Sequence, residues 1–143
     1  MTIDVSAWKY VGETANTRFY VVEDRVLAAV PNDGARDNRA TALENTTFQN
    51  TFLKELGHPG VVVVFFDRMV SQDRDARRVY QTETDPAHML GSCLVGGTAL
   101  SRAMASFSIG FSRQRVPVRL FPNLDAALVW ARALNREAKE RRS

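Results

Sequence analysis

Residues 61–67 read VVVVFFD: six apolar positions in succession, four of them β-branched, closed by an aspartate. A run this short and this apolar has no polar face to offer water, so it is expected as a strand buried on both sides. Such a strand needs cover above and below its sheet, which points to layered strands and helices.

The flanking segments supply that cover. TRFYVVEDRVLAAVP (17–31) predicts a two-stranded hairpin with Glu23-Asp24 as its two-residue turn, ended by Pro31-Asn32-Asp33-Gly34. Thr41 and Glu44 form T-x-x-E, the pattern of a capping box, ahead of a helix whose apolar face is Leu43, Phe48, Phe52 and Leu56 and whose stop is Gly57. Beyond residue 67, Ser71 is expected as the cap of a second helix, with Asp73 and Asp75 in its first turn and Ala76, Val79 and Tyr80 as its stripe. Asp85-Pro86 breaks that helix, and HMLGSCLV (88–95) predicts another buried strand. Thr98 then caps a helix carrying Leu100, Ala103, Met104 and Phe107, and VPVRLF (116–121) predicts a last strand. Asn123 caps a long final helix with Leu124, Ala127, Leu128, Ala131 and Leu134 on its inner side. The order β-β-α-β-α-β-α-β-α implies an α/β fold with parallel pairing. Residues 1–16 are expected as an N-terminal arm laid across the domain, and 137–143 as a basic tail.

The 143 residues suit a single domain able to bury its own core without staples. One cysteine, Cys93, excludes a disulfide framework and a multi-thiolate metal site within the chain. No basic n-region with an apolar run opens the sequence, and no stretch approaches the ~20 apolar residues that span a bilayer, so a soluble, cytoplasmic setting is expected. The net charge of +3 comes from 19 basic and 16 acidic residues that are dispersed, which argues against nucleic acid as a partner.

Gly96-Gly97-Thr98 follows a strand and opens a helix, with Arg102 close by: an arrangement that suits an anion or merely a tight corner. It meets neither nucleotide-binding glycine fingerprint. Asp67 ends the central strand, where α/β proteins often place functional groups. A haloacid-dehalogenase-type phosphatase would need a second aspartate where Met69 stands, and a receiver would need a lysine where the last strand has Arg119. Asp67 is therefore expected to pair with Arg68 or to cap a loop. His58, His88 and Cys93 have no metal-ligand spacing and complete no catalytic constellation, so neither enzyme activity nor a cofactor is expected. Phe65, Phe66, Met104, Phe107, Phe111 and Phe121 are the candidate walls of an apolar pocket or interface, with Phe111 beside the basic SRQR as a partner contact.

Taken in order, VVVVFFDRMVSQDRDAR, GGTALSRAMASFSIGF, VPVRLF and AALVWA resemble a STAS-type, SpoIIAA-like domain, in particular the small stand-alone bacterial STAS-like proteins, over about residues 17–134. The resemblance implies a mixed β-sheet with helices mainly on one face, and a non-enzymatic regulatory module that binds a protein partner, as a homodimer. Anti-sigma antagonists of this type are switched by phosphorylation of a serine after the central strand, which here corresponds to Ser71. A related branch, resembling lipid-transfer CRAL-TRIO domains, implies instead an apolar, lipid-like ligand.

Overall fold

Val61, Val62 and Val63 have no exposed surface, and they alternate between two separate cores, one on each side of the sheet. The structure is a computed structural model that describes residues 3–99, 102–103 and 115–142. Its strands are β1 (Lys9–Glu13), β2 (Thr17–Glu23), β3 (Val26–Pro31), β4 (Ala35–Asp37), β5 (Gly60–Phe65), β6 (Met69–Gln72), β7 (Met89–Val95) and β8 (Val118–Phe121). The α-helices with described bounds are α1 (Arg39–Glu55), α2 (Arg74–Glu83) and α3 (Leu124–Arg142), and a 3-10 turn covers Phe66–Arg68. Six strands form one mixed sheet in the order β1-β2-β3-β5-β7-β8. The first three pair antiparallel; β3, β5, β7 and β8 run parallel. β4 and β6 make a separate two-stranded parallel sheet.

The fold is α/β, as the strand–helix alternation implied; the sheet is mixed, as the resemblance implied, and not parallel throughout. α1 covers one face over Phe19, Leu27, Ala29 and Val62, and α2 packs against α1. α3 covers the other face, where Ala127, Leu128 and Ala131 meet Val61, Val63 and Cys93. The segment that the sequence marked as an arm begins on this second face: Trp8 stacks on Phe65 with ring centroids 5.7 Å apart. It then turns into β1, an edge strand too short to show periodicity.

Three local expectations are corrected. The helix α1 starts one turn earlier than T-x-x-E indicated: Asn38 is the N-cap and Thr41 the reciprocal member of its capping box. Glu44 is instead drawn across the chain to accept from the Ala15 N–H at 3.0 Å. The buried side of α1 is Ala42, Asn45, Thr46, Gln49 and Leu53, while Leu56 is 38% exposed. The hairpin turn sits one residue later, on Asp24-Arg25, where Arg25 takes the left-handed φ of 61°.

Ser71 is not a helix cap. It belongs to β6, paired with Arg36 of β4, and Asp73 caps α2 by accepting from the Ala76 N–H at 2.8 Å. Pairing with β4 keeps the chain extended through Gln72, so the cap passes to the next competent side chain.

Candidate functional site

Between β4, α1 and α2 lies a buried carboxylate. Asp37 is 3% exposed, and no described cation pairs with it. Its charge is met by hydrogen-bond donors instead. The Thr41 hydroxyl donates to Oδ1 at 2.5 Å and the Tyr80 hydroxyl to Oδ2 at 2.7 Å, with the Gln72 and Asn16 amides farther off at 3.4 and 3.5 Å. Asn45 extends the network, donating to Tyr80 Oη at 3.1 Å and to Asn16 Oδ1 at 2.9 Å. Burial, and then the neighbouring Asp37 carboxylate, push the Tyr80 phenol well above its ordinary value, so it stays a proton donor to Asp37. One carboxylate thereby ties together five segments of the chain.

Tyr80 and Gln72 also wall a cleft. It lies between α2 and the β5-β7-β8 part of the sheet, with a volume of about 90 Å³. Its floor is apolar, built from Val64, Phe66, Met69, Met89, Leu94 and Val116. Its polar side is α2, with Arg77, Tyr80, Gln81 and Thr84, joined by Gln49 of α1 and Ser92 of β7. Arg115 stands at the other wall and donates to the Thr82 carbonyl at 2.7 Å. An apolar floor with a few convergent polar groups is the usual make-up of a small-molecule site.

The Gly96-Gly97-Thr98 corner already holds an anion, and the chain supplies it. Asp67 accepts from Gly97 N–H at 2.8 Å, from Thr98 N–H at 3.3 Å and from the Thr98 hydroxyl at 3.1 Å. The loop-capping expectation for Asp67 and the anion-binding expectation for the corner are thus two ends of one contact. The first helical hydrogen bond beyond the corner, from Arg102 N–H to Thr98 C=O at 3.1 Å, leaves Thr98 where a cap belongs.

The candidate aromatic wall divides. Phe65 and Phe121 lie in the core beneath α3, whereas Phe66 faces the opposite side and forms part of the cleft floor. Phe65 and Phe121 therefore do not share a space with Phe66. Met104, Phe107 and Phe111 lie outside the described residues. Sequence reasoning missed Asp37, Gln49 and Gln72, and took Tyr80 only as part of an apolar stripe. Among the described residues no group of three or more His, Cys, Asp or Glu is placed to hold a metal, and no helix is long and apolar enough to cross a membrane. His88 pairs with Asp85 at 2.8 Å, the two closing the loop between α2 and β7.

Cys93 is fully buried in β7, and burial pushes its thiol up to about 12, with Arg119 pulling weakly the other way. The folded value lies above the free value of 9.0, so the thiol's contribution to stability is complete below about pH 9 and is lost as pH rises toward 12. The urea midpoint of unfolding is expected to hold steady to about pH 9. Above that, this group alone removes up to about 1.4 kcal/mol per pH unit. Cys93→Ala should flatten the decline between pH 9 and the onset of tyrosine ionisation; an unchanged slope there would assign it to other groups.

The family model described as Domain of unknown function (DUF7793) matches residues 20–135. The chain belongs to this family. The matched span runs from within β2 into α3 and takes in Asp37, Tyr80, Asp67 and every described lining residue of the cleft. Comparisons with curated proteins and with solved structures return no significant match.

Proposed function

We propose that this protein is a non-enzymatic regulatory module of STAS-like type that senses a small, largely apolar molecule in the cleft beneath α2 and reports its presence to a protein partner. The observation that carries this reading is the double use of Tyr80 and Gln72. Both wall the cleft, and both contact the carboxylate that fixes β4 and the start of α1. A ligand that shifts α2 by a fraction of an ångström must disturb donors whose geometry is set by short hydrogen bonds, so occupancy is felt at the β4–β6 surface. The STAS-like ancestry rests on the order of the 61–77, 96–111, 116–121 and 126–131 segments. The six-stranded mixed sheet is compatible with it.

Native mass spectrometry of the protein purified from its own host tests the reading. The spectrum is expected to carry a retained small-molecule mass that is lost in Ser92→Phe, where a ring is placed into the cleft from the half-buried Ser92. A bare chain in both proteins would count against the sensor.

A further inference from the structure

The charged residues among the described lining of the cleft are Arg77 and Arg115, and both are cations. Arg77 belongs to α2 and Arg115 to the segment ahead of β8, so they come from different walls. A backbone carbonyl orients each of them. Arg77 donates through Nη1 to Gln72 at 2.9 Å, and Arg115 through Nη1 to Thr82 at 2.7 Å. A carbonyl aims a guanidinium without cancelling its charge, and no described carboxylate lies within ion-pair distance of Arg115. The acids on neighbouring segments, Asp37 and Asp85, are outside the described lining and already held, by Tyr80 at 2.7 Å and by His88 at 2.8 Å.

Depth separates the charge from the apolar surface. Arg115 is exposed and Arg77 half-buried, whereas Phe66, Met89, Leu94 and Val116 are buried. The cleft is thus apolar within and cationic toward its mouth, and it suits a molecule graded the same way, with an apolar body and an anionic head. A cation is repelled by both arginines. A wholly apolar ligand would take water from the guanidiniums and return nothing to them. A carboxylate accepts paired N–H bonds from the guanidinium fork, among the stronger hydrogen bonds open to a small molecule. Size limits the body: a cavity of about 150 Å³ holds a benzene ring. The volume of about 90 Å³ here therefore takes a short alkyl body and excludes a long acyl chain.

We infer that the cleft binds a small monocarboxylic acid with a compact apolar body, its carboxylate held at the mouth by Arg77 and Arg115. This rests on the reading of the cleft as a ligand site, and the experiment separates the two. Pentanoate has the body and the charged head; pentanamide has the same body and nearly the same head shape without the charge. Each is titrated into wild type, Arg115→Gln and Arg77→Gln, following the backbone amide resonances of Ser92, Leu94 and Val116. Both probes are expected to shift these resonances saturably in wild type, pentanoate binding about tenfold more tightly or better. In each variant pentanoate is expected to fall to the level of pentanamide, while pentanamide binds as before and so reports an intact cleft. Should Arg77→Gln lose pentanamide as well, the exposed Arg115 decides the matter alone. Pentanamide binding wild type as tightly as pentanoate, or pentanoate binding unchanged in Arg115→Gln, overturns the carboxylate recognition and leaves the cleft a ligand site. Neither probe shifting the resonances overturns both.

Discussion

Asp37→Ala is expected to lower the stability of this protein by about 3 kcal/mol, read as a fall in the urea midpoint at unchanged m value. The carboxylate itself is not the source of that loss, since removing a buried charge relieves a desolvation cost. The loss comes from the donors left behind. The Thr41 and Tyr80 hydroxyls lie 2.5 and 2.7 Å from Asp37; alanine strips Tyr80 of this acceptor, leaves Thr41 with Asn38 alone, its carbonyl at 3.1 Å, and takes a partner from the Asn16 and Gln72 amides. Each unmet buried donor costs about 1–3 kcal/mol. Tyr80→Phe should cost less, about 1 kcal/mol, because Asp37 keeps Thr41. The double variant should fall well short of the sum of the singles, since both act on one contact. A loss under about 1 kcal/mol for Asp37→Ala would show that the network does not hold these segments together.

Phe19→Ala is expected to cost more, about 4 kcal/mol. Phe19 has no exposed surface and stacks on Phe48 with ring centroids 4.2 Å apart; Phe48 in turn runs parallel to Phe52 at 6.3 Å. The Phe48 ring also occupies the space beside Gly12, where an added Cβ would stand 2.7 Å from it. Gly12 has φ of +148° and marks a bulge in β1, so the edge strand bends around this ring. Removing Phe19 opens a cavity under α1 and loosens the ring that seats β1. Hydrogen exchange should therefore accelerate first in residues 9–13, ahead of β5 and β7. Phe19→Leu keeps most of the volume and should cost roughly a third as much. Equal exchange rates across the sheet in Phe19→Ala would place the anchor of β1 elsewhere.

The parts of the fold written locally in the sequence were legible, and the parts decided by distant pairing were not. VVVVFF has no polar face and could only be an interior strand. The inner side of α3 repeats Leu124, Ala127, Leu128, Ala131 and Leu134, and three of these are buried and two pack at the margin. α1 shows the opposite case. Its buried positions 42, 45, 46, 49 and 53 keep helical spacing, but three are Asn, Thr and Gln, so hydropathy pointed to Leu43, Phe48, Phe52 and Leu56 instead. The partners of Asn45 and the Tyr80 donor to Asp37 stand 29 to 43 positions away in the chain, beyond any local signal. β4 and β6 have three and four residues, too few to display alternation, yet their pairing decides that Asp73 rather than Ser71 caps α2. The Gly96-Gly97-Thr98 corner reads from its glycines as either an anion site or a tight corner; its occupant, Asp67, stands 30 residues earlier.

Because that occupant is tethered, the corner works as a site with its ligand permanently supplied. A carboxylate held within bonding distance by β5 acts at an effective concentration in the millimolar range or above, without the translational entropy that a free ion must lose. Free phosphate at ordinary cellular levels would have to displace Asp67 before it could touch Gly97 or Thr98. The glycine-rich corner is thus selective by pre-emption: it spends its affinity for negative charge on fastening the end of the central strand to the start of the next segment.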